Sequence, residues 1–272
     1  MIAFFFIAAL SFLLNALCQI IADEKGIKNV ASSRQGEFYL IGMRYGTDKV
    51  YHHFYHRFYP KYLESFRSFP ENFGMIEIGV EREKSLLTWL DYFEKAFVYG
   101  IDINIEKKGE RYEIFKVDQS QSSQLEKFEK QLSRKIFFIL DDGSHIPEHQ
   151  LLTFDRFFKN LLLPGGVYII EDIETSYWKR GGLFGYNTNY GINHPKSVIE
   201  VFKKIVDYIN QEFLSLSDQA NLMAFIHEKI SPETLSLIQS ISFAQNCIVI
   251  TKKTEEEVTF YPKRSYRFGY NT

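Results

Sequence analysis

The stretch IFFILDDGSHIPEHQLLTFDRFFKNLLLPGGVYIIED, Ile136–Asp172, decides the fold. It opens on an apolar run, Ile136–Leu140, that is too short for a helix and rich in branched and aromatic residues, and so predicts a strand. An acidic turn follows, Asp141-Asp142-Gly143-Ser144-His145. Glu148–Leu162 then spaces its apolar residues as one face of a helix, stopped by Pro164-Gly165-Gly166. Val167–Ile170 is a second strand, ending on Glu171-Asp172. A strand, a helix and a strand in this order form the unit of a parallel sheet. Both strands are apolar at every position rather than at alternate ones, which predicts cover on both faces.

The same rhythm extends upstream. Met75–Val80 (MIEIGV), Phe97–Ile103 (FVYGIDI) and Tyr112–Val117 read as strands, with helices over Ser85–Phe93 and Ser122–Leu132. Downstream, Thr175–Pro195 is irregular and rich in Gly, Asn and Tyr. Helices follow at Lys196–Glu212 and Asp218–Lys229, the second with Ser217 as its N-cap. Ile241–Asn246 and Ile248–Lys252 are close enough to form an antiparallel pair. The predicted fold is α/β: a mostly parallel Rossmann-like sheet with a C-terminal antiparallel hairpin and helices on both faces. Before the sheet, residues 23–45 read as polar and irregular. Tyr45–Lys49 reads as a turn, and His52–Phe69 as helical with a break or start at Pro60 and a stop at Pro70. The chain therefore divides into 1–22, an apolar leader; 23–70, a helical lead-in; 71–255, the main domain; and 256–272, a tail.

Bulk properties narrow the function. The chain has 272 residues, 24% of them charged, and a net charge of -2, which excludes the basic balance of a nucleic-acid binder. Its two cysteines, Cys18 and Cys247, build neither a disulfide framework nor a cysteine zinc site. Aromatic content is high, with 26 Phe and 17 Tyr, consistent with an aromatic core or an aromatic-lined pocket. Residues 2–22 are almost all apolar and read as a signal peptide or a membrane anchor. Lys25 and Lys28 just beyond favour a cytosol-facing domain if the segment is an anchor; cleavage after Ala22 would make the chain secreted or lumenal.

In open α/β sheets, ligands bind beyond the carboxyl ends of the strands. Here those ends are Gly79, Asp102, Asp118-Gln119, Asp141–His145 and Glu171-Asp172. A carboxylate at Asp102 suits the paired hydroxyls of a ribose, and Asp118 with Gln119 suits an adenine edge. Asp142, Glu171 and Asp172 crowd three carboxylates together if their strands pair, and a hard cation removes the repulsion. Oxygen ligands favour Mg²⁺ over Zn²⁺. His145, beside them, is placed as a general base for a hydroxyl.

The stretches GTDK (Gly46–Lys49), H-x-Y-x-x-x-Y (His53, Tyr55, Tyr59), EIGV and SLLTW (Glu77–Trp89), GIDI (Gly100–Ile103), DQS (Asp118–Ser120), DDGSH (Asp141–His145), LLPGGVYIIED (Leu162–Asp172) and SYW (Ser176–Trp178) resemble the mycinamicin-type sugar O-methyltransferases, a class I S-adenosylmethionine-dependent family. DDGSH followed by GGxYxxED is the specific pairing. The resemblance covers about Gly46 to Trp178 and is weaker out to Lys252. It implies methyl transfer from S-adenosyl-L-methionine to a hydroxyl of a sugar or glycosylated small molecule, with Mg²⁺. By that resemblance Asp142, Glu171 and Asp172 are the metal ligands and His145 the base. Gly79, Ser85, Asp102, Asp118, Gln119 and Asp141 line the cofactor site, and Thr47 closes over it.

The loop after the first strand departs from the family: Glu83 stands where a second glycine is expected. That departure keeps a second reading open, a catalytically degenerate binding module at a membrane; a third is a relative of the cephalosporin hydroxylases. Thr175–Pro195, with Tyr177, Trp178, Tyr186 and Tyr190, reads as an acceptor lid hinged at Gly181-Gly182 or as a surface loop. His52, His53 and His56 read as part of a helix packing over the cofactor rather than a metal site, and only His53 falls on the family pattern. The acceptor and any homo-oligomerisation are left open.

Overall fold

The computed structural model describes residues 34–180 and 186–260. The leader 2–22, the tail beyond 260 and the Gly181-Gly182 hinge lie outside them. Among the described residues no helix is long and apolar enough to cross a membrane. The chain separates into two compact units, divided between Glu64 and Ser65.

The first unit is helical. Helix α1 (Arg34–Tyr45) occupies ground expected to be irregular. It turns at Gly46, whose φ is +68, and α2 (Asp48–Tyr51) follows with Thr47 at its N-cap. The helix expected over His52–Phe69 starts later, as α3 (Tyr59–Arg67) with Pro60 in its first turn. Phe54 explains the delay: its φ of +58 is left-handed and interrupts any helix through His52. Tyr55 and Tyr59 stack with ring centroids 5.2 Å apart, and His53 stacks on Tyr55 at the same distance. His52 meets the His53 ring edge-on and His56 packs on Tyr39.

The second unit is one eight-stranded sheet in the order β3-β4-β2-β1-β5-β6-β8-β7. Its strands are β1 (Phe73–Ile78), β2 (Ala96–Asp102), β3 (Lys107–Lys108), β4 (Tyr112–Lys116), β5 (Ile136–Asp141), β6 (Leu162–Glu171), β7 (Ile238–Ala244) and β8 (Cys247–Lys252). β1, β2, β4, β5 and β6 run parallel, as their unbroken apolar runs predict. β8 inserts antiparallel between β6 and β7, so the expected closing hairpin is present. The chain builds outward from β1 in one direction, then returns to place β5 on its other side. That reversal makes the crevice between the ends of β1 and β5 the topological switch point, where such sheets bind ligands.

The helices are α4 (Lys84–Tyr92), α5 (Ser122–Glu129), α6 (Pro147–Asn160), α7 (Val198–Ile209), α8 (Leu216–His227), α9 (Pro232–Ser236) and α10 (Glu255–Phe260). The core joins Ile76, Ile139, Tyr168 and Ile170 of the sheet to Phe154 and Phe158 of α6 and Phe202 and Ile205 of α7. Two boundaries differ from expectation. Pro164-Gly165-Gly166 does not end α6 but lies inside β6, where the pairing with β5 jumps from Ile136↔Leu162 to Phe138↔Val167. The helix ends earlier because the buried Lys252 ammonium caps it, donating to the carbonyls of Phe158 at 2.7 Å and Leu162 at 2.5 Å. α8 is capped by Ser215, not Ser217: Ser215 Oγ accepts from the Asp218 amide at 3.1 Å, two residues earlier than expected.

Candidate functional site

Gly79 ends β1 with φ +82. A side chain there would collide with the carbonyl oxygen of Asp142, and its Cβ would lie 2.8 Å from Gly143 Cα. Glycine is thus required for the close approach of the β1 and β5 turns, as well as for the left-handed backbone. Beyond it, Glu81 (φ +45) and Glu83 (φ +60) are also left-handed. The loop therefore takes glycine-like backbone angles without the expected second glycine. Glu83 turns its carboxylate to Lys107, 2.6 Å away on β3. Ser85 is buried in the first turn of α4.

Asp102, at the end of β2, ties this loop to its neighbour. Its Oδ2 accepts from the amides of Val80 (3.1 Å) and Glu81 (3.0 Å), and its Oδ1 from those of Asn104 (2.8 Å) and Ile105 (3.2 Å). Asp118 folds back on the Ser120 amide and hydroxyl at 2.8 and 2.7 Å. Burial opposes its ionisation, but these bonds and the His149 ring hold its carboxyl below the usual range.

Asp141 is fully buried and forms a hub. Its carboxylate accepts from Gln119 Nε2 (2.8 and 2.9 Å), Thr153 Oγ1 (2.5 Å) and Tyr168 Oη (3.3 Å). Burial lifts its pKa to about 6, against the opposing bonds from Thr153 and Gln119. An enclosed carboxylate presents no surface to a ligand, so Asp141 acts on its surroundings through Gln119. Gln119 in turn accepts from the Ser144 amide at 2.9 Å, which fixes the turn carrying Asp142 and His145.

Asp142, His145 and Asp172 converge, with one ligand atom from each within 4.8 Å of the others. His145 Nε2 is 4.0 Å from Asp142 Oδ1 and 3.8 Å from Asp172 Oδ2. The pairing of β5 with β6 brings the two turns side by side. His145 (φ +53) and Asp172 (φ +50) are both left-handed, a strain held by their neighbours. Thr175 Oγ1 donates to the His145 carbonyl at 2.6 Å, while Asn246 Nδ2 donates to Asp172 Oδ1 at 2.9 Å. His145 is buried and its Nδ1 makes no hydrogen bond. Two carboxylates brought together in this way fit a divalent cation, with the imidazole of His145 beside it. Glu171, expected as a third ligand, is not in this group; it is buried one residue upstream, and its charge and that of Asp172 join burial in raising the Cys247 thiol.

An aromatic wall stands beside His145. The Tyr186 ring meets the imidazole edge-on at 5.3 Å and Trp178 at 5.9 Å. Burial, followed by the charges of Asp172, Asp142, Glu174 and Glu81, pushes the Tyr186 hydroxyl up to about 12, which keeps it a donor. The return leg of this segment is pinned: the Tyr190 amide donates to Trp178 (2.6 Å) and its hydroxyl to Glu148 of α6. Thr47 belongs to the first unit and is buried there. Sequence reasoning missed Asn246, read only as a strand terminus, and the hub partners Thr153 and Tyr168, whose positions look like ordinary core.

No protein-family model matches the chain. A tetracenomycin rhamnosyl 2'-O-methyltransferase of Streptomyces olivaceus is 31% identical over 170 residues, covering 59% of this chain and 44% of that protein. Mycinamicin VI 2''-O-methyltransferase of Micromonospora griseorubida is 30% identical, covering 58% and 42%, and demethylmacrocin O-methyltransferase of Streptomyces fradiae is 31% identical, covering 58% and 41%. The chain thus spans less than half the length of these curated relatives. Among solved structures, MycE methyltransferase from the mycinamycin pathway, in complex with Mg and SAH, superposes with a TM-score of 0.67 at 22% identity, covering 93% of this chain and 64% of that one. The fold is that of a class I methyltransferase, and the motif resemblance to sugar O-methyltransferases stands.

Proposed function

We propose that the chain is an S-adenosyl-L-methionine- and Mg²⁺-dependent O-methyltransferase acting on a hydroxyl of a sugar-containing small molecule. The convergence of Asp142, His145 and Asp172 beside the switch point carries the reading. The curated relatives named above are O-methyltransferases by their names, one of them for a rhamnosyl compound, and MycE was solved with Mg and SAH.

Asp142 and Asp172 would hold the cation, with Glu171, one residue upstream, as the third ligand that the resemblance implies. The cation, when bound, favours ionisation of the acceptor hydroxyl and orients it. S-adenosylmethionine, when bound, would supply the methyl group, its sulfur keeping the electron pair of the S–CH₃ bond. His145 Nε2 would take the proton from the acceptor hydroxyl as that oxygen is methylated. The loop at Gly79–Ser85 and the Asp102 carboxylate frame the cofactor's ribose side, and Asp118 and Gln119 its base. Thr47 is the remaining residue that the motif resemblance assigns to the cofactor. Tyr186 and Trp178 offer ring faces and a hydroxyl to the acceptor. The left-handed angles of Glu81 and Glu83, and the pull of Lys107 on Glu83, answer the missing glycine and favour this reading over a degenerate module.

The test is titration with S-adenosylhomocysteine, then methyl transfer to rhamnosyl and macrolide glycosides with Mg²⁺ or EDTA. Binding and EDTA-sensitive transfer are expected. No heat of binding at high protein concentration would sink the enzyme reading.

A further inference from the structure

Asn246 lies in the two-residue turn between β7 and β8, with φ +61. Asparagine tolerates the left-handed region better than most residues, so the turn alone would explain its presence. Its side chain does more. Asn246 Oδ1 accepts from the Glu174 amide at 3.0 Å, and its backbone carbonyl accepts from Ile173 at 3.4 Å. An amide N–H can only donate, so the Glu174 contact fixes which way the carboxamide faces. The NH₂ group is then committed to Asp172 Oδ1, at 2.9 Å. Asp172 Oδ2 is left on the side of His145, 3.8 Å from Nε2.

The two oxygens of Asp172 are therefore unequal. One is engaged by the hairpin, and the other faces the Asp142–His145 group. Cations differ in how they use a carboxylate. Ca²⁺ takes six to eight oxygens and readily binds both oxygens of one group, whereas Mg²⁺ demands a near-octahedral shell of single oxygens. We propose that Asn246 is an ion-selecting residue: by holding Oδ1, it confines Asp172 to one-oxygen ligation and sets a preference for a Mg²⁺-sized cation over Ca²⁺. This rests on the reading that Asp142 and Asp172 hold a divalent cation. Asn246 acts through Asp172 and is a positioning residue.

The test uses Mn²⁺ as a spectroscopic probe on the full chain, counting free Mn²⁺ by electron paramagnetic resonance, with Mg²⁺ and Ca²⁺ as competitors. Wild type is expected to bind Mn²⁺ and to release it to Mg²⁺ at much lower concentration than to Ca²⁺. Asn246→Gly keeps the left-handed turn and removes the side chain with both of its hydrogen bonds, to Asp172 and from Glu174. It should weaken Mn²⁺ binding and cut the Mg²⁺-over-Ca²⁺ preference by about tenfold, the lower end of what residues behind metal ligands contribute. Asn246→Asp keeps the acceptor for Glu174 and loses the donor to Asp172, so it should cut the preference by at least as much. Thermal midpoint and S-adenosylhomocysteine affinity report whether each variant is intact. Unchanged discrimination in an intact variant overturns the inference alone. If wild type binds no Mn²⁺, the cation reading itself fails and takes the inference with it.

Discussion

Nε2 of His145 stands 3.8 Å from Oδ2 of Asp172, although the two residues leave the sheet from different strands. The imidazole is oriented by its surroundings: Thr175 holds its main chain and Tyr186 meets its ring. His145→Gln keeps a polar group there but removes the proton acceptor. Its kcat should fall by roughly 100-fold or more, with S-adenosylhomocysteine affinity within about threefold of wild type. Initial rates and a binding titration check this; an unchanged kcat removes His145 as the base.

Asp142→Asn and Glu171→Gln separate the ligand assignments. Asp142→Asn should weaken Mn²⁺ binding by at least roughly tenfold, as the loss of a charged oxygen ligand requires. If Glu171 moves onto the cation as a third ligand, Glu171→Gln should do the same. A Glu171→Gln variant with wild-type Mn²⁺ affinity and an altered Cys247 reactivity would assign Glu171 a purely structural place at the end of β6.

Gly79→Ala tests the contact between the two turns. The added methyl group would meet the Asp142 main chain, and alanine disfavours a φ of +82. Both effects act on one residue, so the variant should lose its cooperative thermal transition or melt many degrees lower. A melting curve that matches wild type would show that the turns can part freely.

Glu83→Gly asks whether the missing glycine impairs the cofactor loop. Glu83 already has the backbone angle glycine would supply, and its carboxylate is engaged by Lys107. An exposed ion pair contributes little, about 0–1 kcal/mol. The variant should therefore bind S-adenosylhomocysteine within about threefold of wild type. A gain of tenfold or more would mean that the glutamate side chain obstructs the site.

The sheet was legible because parallel strands buried on both faces leave unbroken apolar runs, and their polar ends fall where the topology puts ligands. Asp102, Asp142, His145 and Asp172 could be picked out for that reason. The boundaries were less legible. Pro164-Gly165-Gly166 reads as a helix stop, yet the stop comes from Lys252 and the glycines make an excursion within β6. No local pattern announces a lysine that caps a helix 90 or more residues before it. Asp141 shows the same limit. At a strand end it looks like a ligand-facing acid, and only the packing of Thr153, Tyr168 and Gln119 around it reveals a buried hub.

Asp141 also gives the metal-free protein a pH signature of unusual sign. Burial lifts its carboxyl from an ordinary 3.8 to about 6, so between these values the folded state keeps a proton that the unfolded chain releases. Its contribution favours the fold below about pH 4 and is lost as pH rises through about 6. Asp141→Asn removes this term. The stability of wild type relative to Asp141→Asn should fall by roughly 2–3 kcal/mol from pH 4 to pH 7, measured by urea unfolding. A difference that grows with pH would contradict the burial of an ionisable Asp141.

The clamp on Asp172 comes from a residue 74 positions further along the chain. During synthesis, Asp142 and Asp172 leave the ribosome long before Asn246, and β8 must still slide between β6 and β7. Contacts of such long range form late and slow folding. A nascent chain stalled before β8 would carry every acid of the site but not the hairpin that orders them. If Asn246 selects the cation as proposed, that selectivity is acquired only when β8 is laid into the sheet.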